Sequence, residues 1–161
     1  MAAKPAPLPI SETELEWLKL DNQLCFRLYA ASKAITRAYR PLLEPLGLTY
    51  PQYLVMLVMW QQQNDASGQE ISVKDIGEKL QLDTGTLTPL LKRLEASGFI
   101  QRSRSDSDER KVLLQLTPSG IALSKQAKDV PYALFCQLDV PVETAMELAG
   151  QLDKLLAHLQ P

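Results

Sequence analysis

The sequence predicts a mainly α fold with one small β-hairpin, and three observations carry that prediction. Apolar residues recur at steps of three and four along most of the chain. That period gives way to alternation between Phe99 and Leu116. Capping residues and prolines punctuate the helical stretches between them. The 161 residues, with 17 Lys and Arg against 19 Asp and Glu, suit one globular domain. A chain of this size buries roughly 70% of its unfolded surface, so it needs neither a disulfide nor a metal to hold its fold.

Residues 1–10 hold three prolines and read as a disordered tail, after which Ser11-Glu12-Thr13-Glu14 matches a capping box that starts a short helix. Asp21 reads as the next N-cap. Leu24, Cys25, Leu28, Ser32, Ile35, Tyr39 and Leu42 then mark one face of a long helix that Pro41 and Pro45 are expected to end. Thr49-Tyr50-Pro51-Gln52 forms a second capping box, opening a run from Tyr53 to Trp60 that is apolar all round and should be buried. The polar stretch 61–70, QQQNDASGQE, reads as a connector.

Two short helices come next, across a tight turn. Ser72 caps the first, with Val73, Ile76, Gly77 and Leu80 inward, and Asp83 caps the second, with Leu87, Leu90, Leu91 and Leu94 on one face up to Gly98. The next segment, from Phe99 and Ile100 through a polar tip at Ser105–Asp108 and back along Val112, Leu114 and Leu116, is a hairpin. Helix-turn-helix with a hairpin after it is a winged helix, here residues 49–117. Thr117-Pro118 starts a further helix, and Pro131 and Pro141 divide the rest of the chain into pieces ending on Met146, Ala149, Leu152, Leu155, Leu156 and Leu159. A helix that apolar wants a partner, so residues 11–48 and 118–161 are expected to be dimerisation helices that set two recognition helices about 34 Å apart.

Composition narrows the chemistry. The single His158 leaves no His cluster for zinc or non-haem iron and disfavours a Ser-His-Asp hydrolase, so no metal, cofactor or catalytic residue is expected. No apolar run reaches the roughly 18 residues that span a bilayer, and MAAKPAPLPI lacks the pattern of a signal peptide, which together predict a cytoplasmic protein with no membrane partner. Cys25 and Cys136 would then be buried thiols or redox-active ones. A net charge of −2 gives no global sign of nucleic-acid binding. Locally, Thr84 to Lys111 carries six Lys and Arg against four Asp and Glu. Short hydroxyls at Thr84, Thr86 and Thr88 beside Lys92 and Arg93 suit base edges and phosphates, and Arg102, Arg104, Asp108, Arg110 and Lys111 lie on the wing. The plain alternative for these charges is a solvated surface.

Residues 20–60, LDNQLCFRLYAASKAITRAYRPLLEPLGLTYPQYLVMLVMW, together with LDTGTLTPLLKRLEASGFI (82–100) and DERK (108–111), resemble the MarR family of winged-helix regulators, and its OhrR branch of organic hydroperoxide sensors in particular. The likeness runs from residue 20 to about 130. It implies a homodimeric repressor that binds double-stranded operator DNA and releases it when one cysteine is oxidised. By that resemblance Cys25 is the peroxide-reactive cysteine, and Tyr39 and Tyr50 are the tyrosines that hydrogen-bond its sulfur. Cys136 sits where two-cysteine members place the resolving thiol, with a buried structural thiol, or one reacting only with small thiols, as the alternative. Tyr29 resembles a third pocket aromatic, core packing being equally open. On the wing, Asp108 and Arg110 match the family's Asp-x-Arg pattern, with Arg110 implied in the minor groove. The long QQQNDASGQE connector departs from the branch.

One argument from spacing stands beside the resemblance. Cys25 and Tyr39 are 14 positions apart, about 21 Å along a straight helix, so they could meet only across a dimer. An ordinary cysteine, with a pKa of about 8.5, is only a few per cent ionised near neutral pH, and phenols aimed at sulfur favour the reactive thiolate. Two rivals remain at this level: a thiol peroxidase that turns over with Cys25 and Cys136, and a MarR-type regulator released by phenolic ligands.

Overall fold

The computed structural model describes residues 17–65, 70–105, 108 and 111–159. The expected tail 1–10, the Ser11 capping box, the middle of the connector and Arg110 lie outside the described residues. The chain divides after Ala38 into two compact units. In the first, a 3-10 turn over Leu20–Asn22 leads into α1, which runs Leu24–Leu43 across the division. Asp21 therefore sits within a turn instead of capping α1. The helix also continues through Pro41 to Leu43 before a 3-10 turn at Glu44–Leu46. A proline costs a helix the hydrogen bond to the carbonyl four residues back, and in the last turn that loss is small enough for packing to override.

In the second unit α2 spans Tyr50–Asn64, and its start is the expected box: the Thr49 amide and hydroxyl both donate to Gln52 Oε1 at 2.8 Å. Tyr53, Val55, Met56, Val58, Met59 and Trp60 are buried, whereas Leu57 is exposed, so the run is not covered on every side. Helix α2 packs against two shorter helices, α3 (Val73–Leu80) and α4 (Thr84–Ala96), and against α5 (Pro118–Ala127). Ser72 Oγ accepts from the Asp75 amide and Asp83 Oδ1 from the Thr86 amide, which fixes both helix starts. The turn between them places Gln81 in the left-handed region, and the Leu82 amide closes it on the Gly77 carbonyl at 2.9 Å.

The wing is a sheet of three strands, not two. Between β2 (Ile100–Arg104) and the short β1 (Ile71–Ser72) lies β3 (Val112–Leu116), antiparallel to both, with Arg102 opposite Leu114 and Ile71 also opposite Leu114. Two residues are too few to show alternation, so β1 leaves no period in the sequence. Gly98, at φ +74°, turns the chain from α4 into β2, a conformation only glycine adopts without steric cost. Gly120 lets α5 lie directly on that corner, since a Cβ there would collide with the Phe99 carbonyl oxygen. Leu43, Met56, Ile76, Leu87, Leu91, Leu94, Ile100 and Leu114 form the centre of the core, and Leu123, Ala127 and Val130 extend it. Beyond α5 lie α6 (Val130–Leu138) and α7 (Val142–Leu159). Among the described residues no helix is long and apolar enough to cross a membrane.

Candidate redox and nucleic-acid-binding sites

Both cysteines are free and exposed, Cys25 in the first turn of α1 and Cys136 near the end of α6. Neither is a buried structural thiol within this chain. Tyr29, one turn after Cys25, is 59% exposed, so it is not core. Lys33 Nζ donates to its hydroxyl at 3.1 Å and lies 5.0 Å from its ring centroid, a cation–π contact on the helix surface.

Tyr39 and Tyr50 come together within the second unit. Their ring centroids are 4.7 Å apart with planes tilted by 32°, and Tyr53 lies 5.8 Å from Tyr39. Tyr53 in turn meets Trp60 edge-on at 6.3 Å, and Trp60 Nε1 donates to the Gly120 carbonyl at 2.8 Å. Burial pushes both the Tyr39 and Tyr50 phenols above the ordinary tyrosine range, and Tyr50 adds to the effect at Tyr39. They stay protonated at neutral pH and remain donors, as a pocket that favours a thiolate requires. Nothing in the spacing of Tyr53 adds it to this pair, because its period is that of ordinary core.

A tyrosine also attends the second cysteine. Tyr132 lies one turn before Cys136 on α6, and the neighbouring cysteine holds its phenol above the usual range. The i, i+4 spacing of Tyr132 and Cys136 is the signal that could have found it.

On α4, Thr84, Thr86, Lys92 and Arg93 are exposed and Thr88 is half-buried. The Thr86 hydroxyl donates to Asp83 Oδ2 and the Thr88 hydroxyl to the Thr84 carbonyl, each at 2.7 Å. Each hydroxyl keeps acceptor capacity for an incoming donor. On the wing, Arg104, Asp108 and Lys111 are exposed. The Lys111 amide donates to the Asp108 carbonyl and the Ser105 amide to the Lys111 carbonyl, which closes the described part of the tip. Arg102 behaves differently: its Nε donates to Glu95 Oε2 at 2.8 Å and its Nη2 donates to the same oxygen. An open groove between α3, α4 and the wing is lined by Lys74, Thr84, Thr88, Arg102 and Lys111 among others. No group of His, Cys, Asp and Glu among the described residues is placed to hold a metal ion.

The model of the transcriptional regulators SarA/Rot matches residues 37–127. The organic hydroperoxide resistance transcriptional regulator of Bacillus subtilis strain 168 is 49% identical over 148 residues, 92% of this chain and 97% of its own length. The chain belongs to the MarR/SarA family of winged-helix transcriptional regulators. Among solved structures, that of reduced AbfR bound to DNA has a TM-score of 0.73 at 33% identity, covering 91% of this chain and 99% of that one. The disulfide-formed AbfR has a TM-score of 0.60 at 34% identity, covering 91% and 96%. AbfR is a Staphylococcus epidermidis protein. These MarR/SarA relatives are regulators and not enzymes, which removes the thiol peroxidase reading.

Proposed function

We propose that this chain is a cytoplasmic, homodimeric repressor that binds operator DNA through its winged helix and releases it when an organic hydroperoxide oxidises Cys25. The observation that carries the reading is the Tyr39–Tyr50 pair, two half-buried phenols from α1 and α2 held 4.7 Å apart, in a chain with a free, exposed cysteine at position 25. Support also comes from the 49% identity to a regulator named for organic hydroperoxide resistance. In this reading the partner's Cys25 docks against the phenol pair, residues 49–117 read DNA, and residues 11–48 and 118–161 join the two copies. Thr84, Thr86, Thr88, Lys92 and Arg93 face the major groove, while Arg104, Lys111 and the Asp108–Arg110 pair serve the wing.

The chemistry balances without a cofactor. The Cys25 thiolate attacks the hydroperoxide, forming S–O as O–O breaks, and the alcohol leaves after taking a proton. Cys136 of the other copy then attacks the sulfenic sulfur, S–S forms, S–O breaks, and water departs. Trapping as a disulfide keeps the sulfur off the irreversible steps of the oxidation ladder. The resulting shift between copies spoils the single spacing at which two recognition helices meet successive grooves.

The test is a gel shift with promoter DNA, with and without cumene hydroperoxide. Wild type is expected to bind when reduced, release on oxidation, and run as a covalent dimer on a non-reducing gel. Cys25→Ser is expected to bind and not release. Cys136→Ser is expected to release once and recover poorly. Release of Cys25→Ser at the wild-type dose removes Cys25 from the mechanism, and its release by a salicylate-like phenol instead identifies a ligand-responsive regulator.

A further inference from the structure

The wing arginines do not share one role. Ile100, Arg102 and Arg104 alternate along β2 on one face, and Ile100 on that face is buried in the core. Arg102 is paired with the buried Leu114 and is itself only 29% exposed, whereas Arg104 is open to solvent. The Arg102 guanidinium reaches back across the Gly98 corner to Glu95, in the last turn of the recognition helix, with Nε and Nη2 on one carboxylate oxygen. That hydrogen bonding holds the Glu95 carboxyl below its ordinary range. The same corner is fixed from the other side by the Phe99 carbonyl, which accepts from the Thr117 amide at 3.1 Å, and by the Gly98 carbonyl, which accepts from the Thr117 hydroxyl.

We propose that Arg102 is a positioning residue: with Glu95 it straps the wing to the recognition helix, and it supports DNA binding through that carboxylate instead of by touching phosphate. This inference rests on the DNA-binding reading above. A helix and a wing that enter different grooves of one duplex must be held at one mutual angle. Five residues separate Ala96 from Arg102, with the Gly98 turn among them, so a charge-assisted clamp across the corner is the direct way to set that angle.

The strap and a phosphate contact predict opposite signs for one substitution. Removing the negative charge of Glu95 beside a polyanion should tighten binding if the carboxylate is only a nearby charge, and should weaken it if the carboxylate holds Arg102 in place. The probe is a duplex selected by the wild-type protein from a randomised pool, with affinity measured against salt concentration. E95Q and R102Q are expected to weaken binding by about tenfold each, the scale of one charge-assisted hydrogen bond. They should be non-additive in the E95Q/R102Q double variant, with salt slopes unchanged, and the swapped pair E95R/R102E should regain affinity. K111Q serves as a direct-contact control whose salt slope falls by about one. Equal or tighter binding by E95Q, or a slope that falls by about one in R102Q, overturns the strap.

Failure of the wild type to select any duplex would overturn the DNA-binding reading instead. In that event the pair is read without DNA, through the Arg102 Nε–H resonance. It is expected to be slow to exchange in the wild type and fast in E95Q, and fast exchange in both overturns the strap.

Discussion

Helix α4 carries four leucines in 13 residues and α7 carries five in 18, at the same three-and-four spacing. Yet α4 buries Leu87, Leu91 and Leu94 to within 1% of full burial, while α7 buries no residue at all and leaves Met146 70% and Leu159 69% exposed. Helix α1 resembles α7: only Leu43 is buried, and Leu24, Phe26 and Ile35 are exposed. The periodicity is therefore equal, but its use is not. A stripe on α4 completes the core, whereas the stripes on α1 and α7 stay largely exposed, the apolar faces that the proposed dimerisation would use.

The largest effect should come from breaking the α7 side of that comparison. Met146→Asp with Leu156→Asp places two charges on the exposed stripe without touching the core. The double variant is expected to sediment as a monomer while its winged-helix body stays folded. Operator affinity should then fall roughly 10²–10⁴-fold, the scale of lost bivalency. A stable dimer in sedimentation would show that another surface joins the copies. The α4 side breaks differently. Leu91→Ala should cost about 2–5 kcal/mol of folding stability, seen in chemical denaturation, because the cavity lies where the structure cannot collapse. A loss below about 1 kcal/mol would mean that the α4 stripe contributes far less than its burial implies.

Local signals are the most legible. The box at Thr49, the Ser72 and Asp83 caps and the Thr117-Pro118 start involve residues three or four apart, and each stands where the spacing predicts. The features that escape the sequence depend on neighbours distant along the chain. The two-residue β1 exists only because β3 offers it an edge. Pro41 reads as a stop, yet α1 holds for two residues more, and Asp21 lies in a turn where its position predicts a cap. The candidate site shows the same division. Cys25, Tyr39 and Tyr50 are legible through resemblance and Tyr132 beside Cys136 through its i, i+4 spacing, whereas Tyr53 behind the pair and the engagement of Arg102 by Glu95 need three dimensions.

The tyrosines sharpen the comparison on the sensing side. Tyr39→Phe and Tyr50→Phe keep the 4.7 Å ring contact and remove only a hydroxyl. Each should slow Cys25 oxidation by roughly tenfold, as expected for one hydrogen bond to a charged sulfur, with melting little changed. Both phenols are held above the ordinary tyrosine range by burial, so they should keep donating as pH rises through that range. The tyrosine-dependent part of the response should be lost only above about pH 10. Unchanged alkylation and oxidation rates of Cys25 in both variants would remove the pair from the pocket.

Tyr29→Phe should have the smallest effect of all. Its ring is 59% exposed and already occupied by Lys33, whose ammonium lies 5.0 Å from the centroid. Phenylalanine preserves that cation–π contact and loses only the hydrogen bond to Lys33, an exposed interaction whose removal should change stability by less than about 0.5 kcal/mol. Because Tyr29 sits one helical turn from Cys25, a slowing of oxidation as large as that in Tyr39→Phe would show that the hydroxyl leaves Lys33 for sulfur in the dimer. A rate within about twofold of wild type, the span of ordinary surface substitutions, would keep thiolate support with the half-buried pair and leave Tyr29 to the helix surface.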